Sequence, residues 1–458
     1  MALLTKAPRG THDIMPSEIY KYHFLEEQFF SLADAFGFKE IRTPVFEHTE
    51  LFRRSVGETT DVVQKEMYTF DDLAGRSITL RPEGTAGVAR AFVEHGIFNE
   101  PAPQKFAYLT SCYRYEKPQA GRLREFHQFG VETFGAADAR ADAEIVALAD
   151  CFFESLGVED IHLEINSIGC PECRKVYLER LRSYFESKKD ILCETCKGRL
   201  DRNPMRILDC KSPVCATTFA DAPVTLDSLC EPCAEHFEAF KANLEALGVE
   251  YRINPMIVRG LDYYTRSVFE FVSDKIGAQG SVCGGGRYDG LIEEIGGPHT
   301  PACGFGMGVE RLVLLLDSIG FEFPEPGACA LYIASTDAES ARVASQIALD
   351  VRLSGISAEY DITGRSLKAQ MKYANKLNAE FTIVLGTDEL NSGIGKLKDM
   401  KTGETVDVKL SEVAEAIVDI YSNMILNQYG ELAGLYPDEN PTPPNGNNFT
   451  IIEGGKKK

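Results

Sequence analysis

The amino-acid sequence predicts a mixed α+β domain that is interrupted by a cysteine-rich insertion and followed by a smaller α/β domain. Amphipathic stretches alternate with apolar, β-forming runs up to about Ser167. Eight of the 13 cysteines then fall between Cys170 and Cys233. After a Pro- and Gly-rich linker at 323–327, apolar strand and helix patterns alternate again. A chain of 458 residues has room for two or three domains.

Composition and charge narrow the class of protein. Hydrophobic residues make up 44% and charged residues 26%, which excludes disorder as the general state. With 48 Lys and Arg against 69 Asp and Glu, the formal charge is -21, which argues against bulk DNA packaging. A local basic stripe remains compatible with a nucleic-acid partner, because salt screens charges beyond about 10 Å.

No apolar run approaches the ~18 residues of a membrane span, and the N-terminal segment lacks a signal-peptide core. We therefore expect a soluble, cytoplasmic protein with no membrane partner.

Local patterns predict the individual elements and the domain limits. The first domain covers residues 1–325 and contains the insertion at 168–248, the second covers 326–426, and the Pro-, Asn- and Gly-rich tail at 430–458 is predicted to be disordered. In the first domain we predict a helix at 20–36, strands at 78–80, 106–110, 131–134 and 268–272, and a helix from near Val309. In the second we predict a strand at 329–334, a helix at 338–354 and a strand at 381–385.

The segment YRYEKPQAGRLREFHQFGVETFG, at 113–135, predicts a hairpin with a long basic tip. Strand alternation places Arg114 and Glu116 on one face, and Gln128 and Glu132 on one face of the returning strand. Such a surface suits an anionic ligand group beside a cationic one. The alternative is a charged hairpin that is exposed to solvent and binds no ligand. The loop carries the basic residues Lys117, Arg122 and Arg124.

Two further segments offer polar partners in apolar surroundings. RPEGTAG, from Arg81, is a Pro/Gly turn that presents Glu83 and Thr85. RGLDYYTR carries Arg259 and Tyr264. An arginine among apolar neighbours needs a carboxylate or phosphate partner. That partner is either a group of a bound ligand or a carboxylate of the protein in a structural ion pair.

Two glycine-rich segments, CGGGRYDG at 283–290 and GFGMGVER at 304–311, invite a dinucleotide-binding interpretation. Neither keeps the G-x-G-x-x-G spacing between a strand and a helix, so a Rossmann site is disfavoured. The glycines instead predict close approach of the backbone to a ligand, with Arg311 at the helix start pointing at phosphate.

The insertion contains three C-x-x-C pairs, and between the second and third pair lie two further cysteines that are separated by four residues. Without a signal peptide, metal binding is favoured over disulfides, and the eight thiols are enough for two four-cysteine zinc sites. Reduced structural thiols and a redox function remain alternatives. His127 and His236 are weak additional ligand candidates. The eight candidate ligands are Cys170, Cys173, Cys193, Cys196, Cys210, Cys215, Cys230 and Cys233.

Taken together, these segments resemble the class II aminoacyl-tRNA synthetases, and in detail the histidyl-tRNA synthetase family, from APRGTHDIMP at Ala7 to about Met424. FGFKEIRTPVFEHTELF at 36–52 is similar to motif one, with Pro44 in the dimer-interface position. The hairpin is similar to motif two and GFGMGVER to motif three. RGLDYYTR and CGGGRYDG look like the two peptides peculiar to the histidine enzymes.

The resemblance implies an antiparallel catalytic sheet flanked by helices, an anticodon-binding C-terminal α/β domain and a homodimer. It implies a ligase that joins histidine to tRNA(His) by way of histidyl-adenylate, with magnesium accompanying ATP. Arg259 would act on the α-phosphate where other class II enzymes place a metal ion. The implied ATP-binding residues are Arg114, Glu116, Arg122, Arg259 and Arg311, and the implied histidine-binding residues are Glu83, Thr85, Gln128, Glu132, Tyr263, Tyr264 and Tyr288.

Basic residues are candidates for tRNA contact. In the C-terminal domain, GRSLKAQMKYANKLNAEFTIVLG places four basic residues at helical spacing, which predicts one basic stripe. A solvated helix face is the alternative. The candidate residues are Arg124 in the hairpin and Arg365, Lys368, Lys372 and Lys376 in the C-terminal domain.

Two other functions compete with the ligase. The regulatory subunit that pairs with ATP phosphoribosyltransferase resembles this catalytic domain, but it normally lacks the anticodon module. A zinc-dependent nucleic-acid-binding protein would use the cysteine segment, and its binding would ignore histidine and ATP. It leaves the arginines of the ATP site unexplained.

Overall fold

The computed structural model describes residues 5–57, 60, 62–208, 210, 212–218, 221–257, 259–276, 280–325 and 327–433. The chain divides into two units, the first ending at Pro324 and the second beginning at Glu325. Within the described ranges, no helix combines the length and the apolar character needed to cross a membrane.

Most strands of the first unit form one eight-stranded sheet in the order β1-β5-β6-β11-β10-β9-β7-β8, and β2, β4 and β3 form a small separate sheet. The six central strands of the large sheet are antiparallel, and one strand at each edge pairs in parallel. The strands are β1 Lys39–Glu40, β2 Phe46–His48, β3 Tyr68–Asp71, β4 Ser77–Leu80, β5 Gln104–Tyr113, β6 Glu125–Phe134, β7 His162–Ser167, β8 Arg252–Ile253, β9 Thr265–Val272, β10 Ser281–Arg287 and β11 Ala302–Gly308.

Helices cover this sheet because each buries one apolar face. In the first helix, Tyr22, Leu25, Phe29 and Ala33 recur every three or four residues and are buried. The helices of the first unit are α1 Ile19–Ala35, α2 Thr49–Val56, α3 Thr85–Glu94, α4 Ala139–Ser155, α5 Pro171–Glu186, α6 Glu194–Arg202, α7 Met205–Leu208, α8 Pro213–Ala216, α9 Glu231–Ala246, α10 Leu291–Glu294 and α11 Val309–Ile319.

The cysteine-rich insertion lies between β7 and β8 and is helical, comprising α5 to α9. Tyr177, Leu181 and Phe185 of α5 belong to the same buried cluster as Tyr263 and Tyr264 of the first unit. The insertion therefore shares a core with the segment that carries these tyrosines.

The second unit contains a five-stranded sheet in the order β13-β12-β14-β15-β16, parallel on one side and antiparallel on the other. Its strands are β12 Leu331–Ser335, β13 Ala358–Tyr360, β14 Phe381–Leu385, β15 Ile394–Asp399 and β16 Thr405–Lys409, and its helices are α12 Ala338–Leu353, α13 Leu367–Lys376, α14 Thr387–Ser392 and α15 Val413–Ala433.

The predicted strands and helices are confirmed in type, with three corrections. Arg114 and Glu116 are not on a strand face, because β5 ends at Tyr113 and both lie in the hairpin loop. Arg365 is not part of the basic helix, which begins two residues later at Leu367. Helix α15 continues to Ala433, so residues 430–433 are helical, and the rest of the tail predicted to be disordered lies outside the described residues.

Candidate active site

The floor of the candidate site is a row of glycines across the large sheet. Gly284 of β10 pairs with Gly306 of β11, which pairs with Gly130 of β6. Because paired residues point to the same face of a sheet, these positions leave a strip that carries no side chains. Glu270 and Tyr108 stand at the two ends of the row. The Arg259 side chain covers the strip at Gly284 and the Tyr108 ring covers it at Gly130, so a ligand can approach the backbone at Gly306 between them.

The glycines also make room for charged side chains of the protein. A Cβ atom on Gly284 would lie 2.5 Å from Nη1 of Arg259, and a Cβ atom on Gly304 would overlap the Glu132 carboxyl group. The glycines were predicted to allow close approach of the backbone to a ligand. They also have a second role, because they leave the space in which Arg259 and Glu132 pack over the sheet.

One part of the site is a tyrosine-lined pocket that holds a carboxyl group. Glu132 is fully buried and accepts hydrogen bonds from Tyr108, at 2.9 Å, and from Tyr288. Burial raises the pKa of Glu132 to about 8, so the carboxyl group is largely protonated at neutral pH. The rings of Tyr263, Tyr264 and Tyr288 lie 4.7 to 6.3 Å from one another. This pocket suits a flat ring that carries an N–H group.

A second carboxyl group lies at the start of a helix. The backbone N–H groups of Thr85 and Ala86, in the first turn of α3, donate to Glu83 at 2.8 and 2.9 Å. Burial raises the pKa of Glu83, and these two hydrogen bonds oppose that shift. The hydroxyl group of Tyr263 lies 3.5 Å from the same carboxyl group. The arrangement can receive a cationic ammonium group.

Arginines concentrate positive charge in another part of the site. Arg122 forms an ion pair with Glu116, and Nη1 of Arg114 lies 3.9 Å from the same carboxylate. Arg311 donates from Nε to the carbonyl oxygen of Gly121 at 3.0 Å. Burial lowers the pKa of Arg311, and the neighbouring Arg122 lowers it further. An anionic ligand would offset this repulsion between the guanidinium groups.

Arg259 is held by protein partners on the sheet. Its guanidinium group pairs with Glu270 and lies 5.5 Å from the centre of the Tyr264 ring. Burial alone would lower the pKa of Arg259, but Glu270 and Tyr264 hold it above its ordinary value. The side chain therefore remains cationic. Its Nε atom is buried without a hydrogen-bond partner among the described residues, which leaves a donor for a ligand.

A single cavity of about 500 Å³ brings the predicted substrate residues together. Glu132 and Tyr288 are not in its lining, but they are bonded to each other, and Glu132 is bonded to the lining residue Tyr108. The predicted residues that line the cavity are Glu83, Thr85, Arg114, Glu116, Arg122, Gln128, Arg259, Tyr263, Tyr264 and Arg311.

Tyr108, Glu270 and Glu310 are among the cavity residues that were not singled out from the sequence. The signal for Tyr108 is the pair of glycines that it faces, because Cβ atoms on Gly84 and Gly130 would overlap its ring. Glu310 accepts hydrogen bonds from the backbone and the ring of His127.

The weak metal-ligand candidates are both packed histidines. Nδ1 of His127 lies 2.7 Å from Glu310, and this hydrogen bond raises the pKa of His127. His236 is buried 3.4 Å from the carboxylate of Asp142. Neither belongs to the two groups of cysteines that could hold metal, Cys170, Cys173, Cys230 and Cys233, and Cys193, Cys196, Cys210 and Cys215.

The basic residues proposed for tRNA contact differ in their surroundings. Lys368, Lys372 and Lys376 are exposed along α13. Arg365 forms an ion pair with Asp361 at 2.6 Å, so the predicted stripe consists of the lysines alone. In the first unit, the guanidinium group of Arg124 lies 3.8 Å from the centre of the Tyr115 ring.

Comparisons with known proteins identify the family of the chain. A family model described as "Histidyl-tRNA synthetase" matches residues 10–182 and 211–312, and one described as "Anticodon binding domain" matches residues 329–420. The histidine–tRNA ligases of Acetivibrio thermocellus and Caldanaerobacter subterraneus subsp. tengcongensis are each 54% identical, over 89% and 91% of this chain and 98% and 100% of their own lengths. The crystal structure of apo S. aureus histidyl-tRNA synthetase matches with a TM-score of 0.77 at 39% identity, covering 90% of this chain and 100% of that one. These matches confirm the predicted fold class. The chain belongs to the histidyl-tRNA synthetase family.

Proposed function

We propose that the cavity activates L-histidine with ATP and then transfers the histidyl group to the 3′ end of tRNA(His). Aminoacylation is the activity of the family, and the chain is a histidine–tRNA ligase by its membership. The observation that carries the proposal is the single cavity lined by a buried carboxyl group, tyrosines and a cluster of arginines.

Histidine would occupy the part of the cavity that contains carboxyl groups and tyrosines. Its α-ammonium group would be received by Glu83, Thr85 and Gln128, and its imidazole ring would be read by Glu132, Tyr264 and Tyr288, with Tyr263 between the two groups. The packed tyrosine rings support this placement, because they offer an aromatic surface beside a hydrogen-bonding carboxyl group. A ligand without the ring N–H would lack this hydrogen bond to the carboxyl group and would bind more weakly.

ATP would lie among the arginines. Arg114 would hold the α-phosphate and Glu116 the adenine side, while Arg122 and Arg311 would face the β- and γ-phosphates. An oxygen of the histidine carboxylate attacks the α-phosphorus in line, and the bond to the leaving pyrophosphate breaks. Arg259 would stabilise the charge that develops there, supported by its retained protonation and its buried Nε donor. The terminal ribose hydroxyl group of tRNA then attacks the histidyl carbonyl carbon and AMP leaves.

Both nucleophiles belong to the substrates, so the protein contributes positioning and preorganised positive charge. Magnesium would accompany ATP and neutralise charge on its phosphates. The donors in the cavity fit an ion carried mainly by the nucleotide, because Glu270 is paired with Arg259 and Glu310 with His127. The proposal also includes structural zinc held by the cysteines of the insertion, whose two groups of four provide the ligand type that zinc prefers.

A homodimer is part of the proposal. Phe46 and Phe70 lie on the same face of the small sheet β2-β4-β3, since they pair with Leu80 and Ile78 of the middle strand. Their side chains are 57% and 49% exposed, and Val45 beside them is 40% exposed. An exposed apolar face of this kind supports contact with a second subunit. We expect the dimer to act in the cytoplasm.

Exchange of pyrophosphate into ATP tests the function directly. The purified chain is assayed with each of the twenty amino acids, and we expect exchange with histidine alone. Charging of tRNA(His), and not of another tRNA, then tests the second step. No exchange by a folded dimer would overturn the proposal and favour the regulatory-subunit alternative.

The lysines of α13 provide a test of tRNA contact. We expect the double substitution Lys368→Glu and Lys372→Glu to raise the KM for tRNA roughly tenfold, because two phosphate contacts become repulsive. Exchange of pyrophosphate, which needs no tRNA, should remain unchanged. Lys401→Glu, at another exposed site of the same unit, is the control. An unchanged KM for tRNA in the double variant would show that these lysines do not contact tRNA.

A further inference from the structure

The thiols of the insertion are arranged in two compact groups of four. The first consists of Cys170, Cys173, Cys230 and Cys233, and the second of Cys193, Cys196, Cys210 and Cys215. Within each group the sulfur atoms all lie within 4.8 Å of one another, with neighbours as close as 3.6 and 3.8 Å. A tetrahedral zinc ion with Zn–S bonds of about 2.3 Å holds its sulfurs about 3.8 Å apart. All thirteen cysteines are free thiols.

Helix starts favour negative charge at both groups. Cys170, Cys193 and Cys230 occupy the N-cap positions of α5, α6 and α9, and a second cysteine follows three residues later in each helix. The positive end of a helix stabilises a thiolate. Backbone N–H groups also donate to sulfur, from Cys230 to Cys173 at 3.0 Å and from Cys193 to Cys215 at 3.3 Å. These bonds leave the sulfur atoms able to bind a cation.

The second group lies largely outside the family pattern. Three of its four cysteines, Cys193, Cys196 and Cys210, fall between residues 182 and 211, where the family model has no match.

Each cysteine group has a nearby arginine that bonds to the backbone of a segment lining the substrate cavity. Arg174 follows Cys173 directly and donates to the carbonyl oxygens of Asp262, at 3.1 Å, and Tyr264. Arg206, between Cys196 and Cys210, donates to the carbonyl oxygen of Gly260. The three acceptors belong to one segment, residues 259–264.

That segment depends on such contacts because it has no helical or strand structure of its own. It nevertheless carries five lining residues of the main cavity, Arg259, Gly260, Leu261, Tyr263 and Tyr264. Beyond it, the backbone N–H of Arg266 donates to Gly169, one residue before the first cysteine group. The insertion thus holds the segment at both ends.

We propose that each cysteine group binds one zinc ion, and that the two ions, acting through the positioning residues Arg174 and Arg206, hold residues 259–264 in the conformation that binds histidine. The choice of histidine as the ligand rests on the proposed function. The metal sites themselves rest on the sulfur geometry.

Native mass spectrometry of the freshly purified, reduced full-length chain tests the metal sites. We expect two zinc ions per chain and no disulfide. The double substitution Cys230→Ser and Cys233→Ser should remove one ion, and Cys193→Ser with Cys196→Ser should remove the other. A wild-type chain with fewer than two ions, or with disulfides among these cysteines, would overturn the proposal.

Calorimetric titration with histidine, without ATP, tests the link to the cavity. We expect Arg174→Ala and Arg206→Ala each to keep both ions and to weaken histidine binding roughly tenfold or more, since the binding segment loses its support. Arg174→Lys, which retains a donor, should recover part of the affinity. Arg180→Ala is the matched control, because Arg180 lies on α5 but bonds to Asp227 and Ser228 within the insertion.

These variants retain the metal and so keep the test valid even if the cysteine variants fail to fold. In steady-state exchange assays, the KM for histidine should rise more than kcat falls in Arg174→Ala. Wild-type affinity in both arginine variants would overturn the link. Failure of the proposed function would look different: wild-type chain carrying two ions would show no histidine-dependent exchange.

Discussion

Arg259→Ala is expected to lower kcat/KM for histidine-dependent pyrophosphate exchange on the order of 10³-fold, the scale of losing one preorganised donor to a developing charge. Arg259 remains cationic in its buried position because Glu270 and Tyr264 compensate its desolvation. Its guanidinium group is also packed against Gly284, so its position over the sheet is fixed before substrate arrives. The measurement is exchange at saturating ATP with varied histidine.

The experiment must distinguish the loss of the stabilising positive charge from the effect of leaving the partly buried Glu270 carboxylate without its partner. Removing Arg259 alone leaves Glu270 unpaired, which costs stability. The double variant Arg259→Ala with Glu270→Gln removes that charge, and we expect it to be as inactive as the single variant. Arg140→Ala, at an exposed arginine paired with Asp138, should retain full activity. Activity of the double variant within tenfold of wild type would refute a transition-state role for Arg259.

The fold could be predicted where local periodicity determines structure. The apolar spacing of α1 and the hydrophobic runs of β5 and β6 are visible within a single window of sequence. The point at which a strand ends and a loop begins was harder to predict. Arg114 and Glu116 continue the strand alternation in the sequence, although β5 ends before them. Arg365 likewise keeps helical spacing with Lys368, but it lies outside α13 and bonds to Asp361.

The types of residue in the site could be predicted from the sequence. The register in which the strands pair, which decides which residues are neighbours across the sheet, could not. Glycines alternate within β11, which marks one open face of a strand, but pairing Gly306 with Gly284 and Gly130 requires contacts far apart in sequence. Glu270 and Tyr108 belong to the site through that pairing. They lie in ordinary strand sequences, so no local signal distinguished them.

The grouping of the cysteines shows the same limit. Spacing identifies C-x-x-C pairs but leaves open which pairs meet. The structure joins the first pair with the last, because the N-terminal ends of α5 and α9, which carry these cysteines, meet. The middle pair is left to meet Cys210 and Cys215.

Glu132→Gln is expected to lower kcat/KM for histidine on the order of 10²-fold while stabilising the protein at alkaline pH. The amide keeps the shape of the carboxyl group but cannot supply an ionised acceptor to the imidazole N–H. A site built around such a hydrogen bond loses discrimination when the bond is lost. Exchange assays with varied histidine measure the first effect.

The effect on stability follows from the direction of the pKa shift. Burial raises the pKa of Glu132 from 4.5 to about 8, so the folded state binds this proton more tightly than the unfolded state. The contribution of this carboxyl group to the free energy of unfolding is therefore complete below about pH 4.5, and it is lost as the pH rises through about 8. Glutamine does not ionise, so the melting temperature of the variant relative to wild type should be higher at pH 9 than at pH 7.

The same ionisation predicts how histidine binding depends on pH. Tyr108 and Tyr288, which face Glu132, have pKa values raised well above 10 by burial, so they stay neutral in this range. As Glu132 loses its proton between pH 7 and pH 9, wild-type affinity for histidine should rise, and the affinity of Glu132→Gln should not. Glu27→Gln, at an exposed position of α1, should behave as wild type in both experiments. A difference in melting temperature that stays constant with pH would mean that Glu132 is already ionised in the empty pocket, and the pH dependence of binding would then have another source.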